Sequence, residues 1–226
     1  MRRNLLYISA LCLLLAAWPA GQSPQTGRVI GRVRLTSKVP GKPLPSTAYP
    51  RRNIGDHDAP ALPEIRNVVV YIKDAAYRGT LAVKRVELRQ EHETFIPHTI
   101  AIARGSVVEF PNGDPFFHDV FSLSRSATFD LGSYPRGQTK SHLFRQAGLV
   151  KVYCHIHSHM TASIMVFDHT FFTIPKPDGS FTIDEIPAGS YQVSAWHERI
   201  GENSQPVKIE AGRASDIRFA LPIVIK

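Results

Sequence analysis

The chain is interrupted too often to be helical. Its apolar residues come in short runs, many with a period of two, and Gly or Pro closes most of them. Arg28-Val29-Ile30-Gly31-Arg32-Val33-Arg34-Leu35 alternates as a half-buried strand should, and Asn67 to Lys73 (NVVVYIK) is rich in β-branched residues. Further short strands are predicted over 84–90, 98–103, 106–110, 118–122, 141–144, 149–153, 163–167, 180–184, 190–197, 205–210 and 217–220. Gly105, Pro111-Asn112-Gly113, Gly132, Gly148, Asp178-Gly179 and Ala211-Gly212 mark turns between them. No stretch long enough for three helical turns carries a 3.6-residue period. With 17 Pro and 15 Gly in 226 residues, the fold class is all-β, with the pattern of two sandwiches in tandem or nested. The segment 37–63, rich in Pro and charge, is expected to be a long surface excursion.

The N-terminus has the shape of an export signal. Met1-Arg2-Arg3-Asn4 is a basic head, Leu5 to Trp18 an apolar run, and Pro19-Ala20-Gly21-Gln22 a break. The run is short against the roughly 20 apolar residues of a membrane span. Residues 1–20 are therefore expected to be removed, leaving a periplasmic or secreted protein without a membrane span; an uncleaved anchor is the alternative. Of the two cysteines, Cys12 would leave with the signal and Cys154 would have no partner for a disulfide. A lone thiol in an oxidising compartment is reactive, catalytic, metal-bound or inertly buried. The formal charge of +8 is spread along the chain without a basic block, which disfavours nucleic acid and permits an acidic protein partner.

The window that carries chemistry is Gly148-Leu149-Val150-Lys151-Val152-Tyr153-Cys154-His155-Ile156-His157-Ser158-His159-Met160. Gly148, Val150, Val152 and Cys154 share one strand face, so the thiol ends a strand beside apolar neighbours. A tight loop leaving that strand can return the His157 imidazole and the Met160 thioether towards Cys154. A short loop cannot surround a metal, and His118, in the segment 112–122, is the candidate fourth donor. Two imidazoles, a thiolate and a weak thioether match a type 1 (blue) copper electron-transfer site. The competing reading is zinc or Cu(II) held by Cys154 with His155, His157 and His159.

Over 81–169 the chain resembles a cupredoxin of the plastocyanin and amicyanin kind. The resemblance lies in Phe95-x-Pro97, Gly105-x-x-Val108-x-Phe110-x-Asn112, His118-x-Val120-Phe121 and Gly148-x-Val150-x-Val152-x-Cys154-x-x-His157-x-x-Met160. It implies an eight-stranded Greek-key sandwich holding one type 1 copper through His118, Cys154, His157 and Met160. In that family an Asn commonly follows the first ligand and a Ser or Thr follows the Cys. Here those positions are Asp119 and His155, either linked as carboxylate and imidazole or turned separately, Asp119 to solvent and His155 outward. Pro115, Phe116, Phe117 and Ile156 flank the proposed ligands, either as a rim on which a redox partner could dock or as core packing. His159 is expected to face solvent, and His197, after Trp196, to pack.

The stretch 177–191 resembles a carboxypeptidase-regulatory or transthyretin-like β-sandwich module, and Gly27-Arg28-Val29-Ile30-Gly31-Arg32-Val33 fits the opening strand of such modules. The expected organisation is a cupredoxin at 81–169 inserted between 27–80 and 170–226, with two consecutive domains as the alternative. No phosphate loop, zinc-protease signature or nucleophile elbow is present, so no enzyme is expected. The reading is an exported monomer that carries single electrons between a redox donor and acceptor. A copper-delivery protein and a metal-free structural module are the rivals.

Overall fold

The computed structural model describes residues 26–36 and 63–222. The expected signal at 1–20 with Cys12, and the excursion at 37–63 apart from its last residue, lie outside the described residues. Those described form strands joined by turns, with one short 3-10 turn at Glu64–Asn67. The architecture is all-β, built of several sheets.

A five-stranded sheet runs in the order Thr99–Ala103, Thr161–Phe167, Gly148–Cys154, His118–Ser124, Ala127–Tyr134. A three-stranded sheet, Thr139–Leu143, Val107–Pro111, Arg85–Glu87, shares its core. Val108 and Phe110 from the smaller sheet join Val120, Val150, Val152 and Ile164 from the larger in one cluster of buried side chains. The period of two places the site here. On Gly148–Cys154 the inward residues are Val150, Val152 and Cys154, and on His118–Ser124 they are His118, Val120 and Ser122. The strands are antiparallel, with Cys154 opposite Val120. A slip of one residue would expose Val150 and Val152 and turn Cys154 outward. Each of those valines contributes about 1.5 kcal/mol or more by burial, so the register is firmly set.

The two ends of the described chain meet. Thr26–Leu35 lies between Ser180–Pro187, antiparallel, and Ala214–Leu221, parallel. A four-stranded sheet, Phe172–Thr173, Val68–Lys73, Gly189–His197, Gly201–Ile209, contributes to the same core, which includes Val29, Val33, Val70, Ile72, Phe181, Val193 and Phe219. Gly31 is closely surrounded, since a Cβ there would overlap the Ile217 carbonyl and the Phe181 ring.

Val68, Val69 and Val70 are all fully buried, which alternation alone does not explain. Val68 and Val70 face the core just described, whereas Val69 packs with Met165 and Phe167 of the five-stranded sheet. The strand is covered on both faces, hence its unbroken run of β-branched residues. Beside this contact Glu198 accepts from His98 Nε2 at 2.7 Å, Lys151 Nζ at 2.5 Å and Ser163 Oγ at 2.9 Å. Burial opposes the charge on Glu198, but the His98 and Lys151 contacts outweigh it and hold the carboxyl well below its ordinary range.

Three strands were not anticipated from the sequence: Thr94–Ile96, Ala127–Tyr134 and Phe172–Thr173. In Ala127–Tyr134 the inward parity changes between Phe129 and Tyr134, at an irregular register opposite Asp119 and Phe121, with Gly132 at φ 63°. A bulge of this kind erases the alternation by which strands are recognised. The predicted strand at 84–90 is split into Arg85–Glu87 and Arg89–Glu91 at the buried Leu88.

Replacing Glu198 with Gln is expected to destabilise the folded chain by about 1–3 kcal/mol near neutral pH. The Glu198 carboxyl is lowered on folding from an ordinary value of 4.5, so its stabilisation is complete above that value and is lost as pH falls through the folded value. Urea melts taken from about pH 6 down to about pH 2 should therefore show the gap between wild type and variant narrowing.

Candidate metal centre

The centre is assembled at one edge of the buried core, where two inward strand positions meet a loop. His118 opens its strand and is fully buried, and Cys154 ends the neighbouring strand at 4% exposure. The loop after Cys154 turns back at once, with the Met160 N–H donating to the His157 carbonyl at 3.0 Å. His157 is thereby returned to the strand ends. Its Nδ1 lies 3.1 Å from His118 Nδ1 and 3.8 Å from Cys154 Sγ, and His118 Nδ1 lies 3.7 Å from that sulfur. A point equidistant from the three atoms lies about 2.1 Å from each, within the ~2.0–2.3 Å span of metal–imidazole and metal–thiolate bonds. Met160 is buried in the same core cluster as Cys154. His118, Cys154 and His157 thus form a group able to hold a metal ion.

The electrostatics suit ligation. Burial pushes the Cys154 thiol up, but His118 and the backbone N–H groups around the sulfur outweigh it and lower its pKa, favouring the thiolate that binds metals. Burial also opposes charge on His118, yet Asp114 and Cys154 lift its pKa to about 9 in the metal-free pair. Burial lowers the pKa of His157 and so favours the neutral imidazole. Metal binding at such a site displaces the His118 proton.

Asp114 organises the approach to His118. Its Oδ2 accepts from His118 Nε2 at 2.8 Å and from the Glu93 N–H at 2.9 Å, and its Oδ1 accepts from the His92 N–H at 2.6 Å. Asn112 shapes the same loop: its Oδ1 accepts the Asp114 N–H, and its Nδ2 donates to the carbonyls of Phe116 and Tyr134. With Nε2–H committed to a carboxylate, His118 presents Nδ1 to the sulfur. Sequence reasoning missed Asp114 and Glu93. A carboxylate in the loop four residues before His118 was a readable signal for the first, whereas Glu93 is placed only by the fold.

The expected link between Asp119 and His155 is shared with Asp130: carboxylate and imidazole atoms of the three lie within 4.8 Å of one another. Their backbones are joined, His155 N–H to the Asp119 carbonyl at 2.9 Å, but the His155 imidazole Nε2 faces Asp130 at 3.7 Å. The His155 ring stacks on Phe121 at 3.6 Å. Asp130 lies on the strand Ala127–Tyr134, which alternation did not reveal, and so its competition for His155 was not foreseen. Asp119 Oδ1 is buried without a hydrogen-bond partner among the described residues, and burial, reinforced by Asp130, raises its pKa. The three-histidine alternative is not assembled around the thiol: His155 turns to Asp130, and His159, exposed, turns its Nε2 to Glu93 at 3.3 Å. His197 is buried elsewhere, with Nε2 3.0 Å from Glu64.

Pro115, Phe117 and Ile156 are exposed beside the centre, and the half-buried Phe116 ring lies 5.8 Å from that of His157. Of the three clustered side chains, His157 is the one that reaches the surface.

No family model matches the chain, and no curated protein does. Solved structures give distant, partial matches among cupredoxins and copper proteins. A copper-containing nitrite reductase from Thermus scotoductus SA-01 is 23% identical over 43% of this chain, with a TM-score of 0.35. The match spans a quarter (25%) of that reductase. A purple cupredoxin from Nitrosopumilus maritimus is 22% identical over 34% of this chain and 84% of its own, with a TM-score of 0.31. Amicyanin from Paracoccus versutus is 19% identical over 43% of this chain and 97% of its own, with a TM-score of 0.34. The functional reading therefore rests on the centre's own geometry.

Replacing Asp114 with Asn is expected to weaken metal binding about 10- to 100-fold, because the oriented imidazole loses its anionic partner. Competition with a chelator of known affinity checks this.

Proposed function

We propose that the protein is an exported type 1 copper protein that carries single electrons between a reduced donor and an oxidised acceptor. The observation that carries this reading is the triangle of His118 Nδ1, His157 Nδ1 and Cys154 Sγ, sized for one metal ion at the edge of the buried core. Thiolate with imidazoles is the donor set of blue copper, and Met160, buried in the same cluster, would supply the weak thioether. Bound there, copper supplies a one-electron Cu(II)/Cu(I) couple.

The chain's own residues do the rest. Strand register and Asp114 fix His118 and Cys154, which limits rearrangement between oxidation states. The buried donors close the centre on the core side and leave the His157 edge facing outward, as suits a carrier better than a catalyst. Pro115, Phe116, Phe117 and Ile156 form the apolar rim for brief docking. In this reading 81–169 is a Greek-key cupredoxin inserted into a carboxypeptidase-regulatory or transthyretin-like sandwich made of 27–80 and 170–226. The pairing of Thr26–Leu35 with Ser180–Pro187 and Ala214–Leu221 supports that nesting. The N-terminal segment supports export to the periplasm or beyond, and in this reading the carrier acts as a monomer.

Titration with Cu(II) is expected to give an intense blue thiolate-to-copper absorption at one equivalent, bleached reversibly by a mild reductant. Cys154→Ser should abolish the colour. Colourless binding of Cu(I) with fast loss to a chelator would favour copper delivery instead, and absence of copper retention would defeat both readings.

A further inference from the structure

A single hairpin tip serves both candidate ligand histidines. Arg89–Glu91 and Thr94–Ile96 are joined by His92 and Glu93, whose backbones are both left-handed, at φ 55° and 52°. Such positions usually fall to Gly, Asn or Asp, and any other residue there is strained. The Asp114 carboxylate holds the tip by accepting both N–H groups, and it is the same carboxylate that holds His118. The tip in turn delivers the Glu93 side chain to the other histidine. Glu93 Oε1 lies 3.7 Å from His157 Nε2, and Oε2 lies 3.3 Å from His159 Nε2.

Glu93 is only 8% exposed, an uncommon fate for a glutamate. A buried carboxylate is costly unless cationic or hydrogen-bond-donating groups face it. Those facing it here are the imidazoles of His157 and His159. The separation from His157 is longer than a hydrogen bond, so its action on that ring is electrostatic. Even so, it favours the proton on Nε2 and leaves the Nδ1 lone pair directed at the Cys154–His118 side. The contact with His159 keeps the carboxylate from swinging into solvent.

We propose that Glu93 is a positioning residue of the metal centre, a fixed negative charge behind His157 that selects its ligating tautomer and favours the more positive oxidation state of the bound metal. The proposal rests on the copper reading above and adds to it: the outward-facing ligand is backed by a buried charge.

The test uses the full chain with Glu93→Gln, which keeps the shape and removes the charge, and Glu93→Asp, which keeps the charge on a shorter arm. Thermal melts establish that each variant is folded. In copper-loaded protein at a fixed external potential, Glu93→Gln is expected to raise the ratio of reduced to oxidised centre about tenfold, ~59 mV for a one-electron couple. The shift should persist at high salt, since buried charges are weakly screened. Glu93→Asp should restore most of it. Glu91→Gln, a control on the same hairpin, should give a smaller shift that collapses with salt. With redox-inert Zn2+ as probe, Glu93→Gln should weaken binding about tenfold. A folded Glu93→Gln with wild-type potential and wild-type Zn2+ affinity overturns the role of Glu93 while leaving the copper reading intact. Failure of the wild-type chain to hold either metal overturns both.

Discussion

The hydrogen bonds to the Asp114 carboxylate are the constraint on which the centre depends. One side chain orients His118, ties down two left-handed residues of a hairpin and so carries Glu93 to His157. Burial makes this arrangement decisive. The pull of burial raises a carboxyl's pKa, yet the donors around Asp114 hold it below its ordinary value. An anion so fully engaged has one stable position, and the imidazole it holds inherits that position.

Around this point the packing divides by side-chain parity. Inward residues of the five-stranded sheet build one core, and its opposite face, through Met165 and Phe167, meets Val69 of a strand belonging to the other. The two cores are thus joined by apolar contact and by the Glu198 cluster rather than only by chain connections. Lys151 shows the economy of this layout. It lies between inward Val150 and Val152 on the strand that ends at Cys154, and its outward side chain reaches Glu198 and Ser163. The strand that presents the thiol therefore also bears on the neighbouring sheet.

Much of the fold could be read from alternation. Gly148–Cys154, His118–Ser124 and Thr26–Leu35 follow their patterns closely, and the inward phase of Cys154 and His118 is written in the valines beside them. Where alternation broke, reading failed. The bulge in Ala127–Tyr134 hid a strand, and with it Asp130, which gathers with Asp119 around the His155 imidazole.

The sequence by itself determined the chemistry available: one thiol at a strand end, an imidazole three residues on, a thioether three beyond that, and another imidazole on a strand of matching phase. Those features are local, set by spacing and by the period of two. Only the tertiary structure decided which atoms meet. The 3.1 Å approach of His118 to His157 crosses 39 positions of chain, and Glu93 reaches His157 from 64 positions away. Such pairings depend on sheet order and on a turn held by a distant carboxylate, and no local pattern encodes a contact whose partner is chosen by the packing of the whole chain.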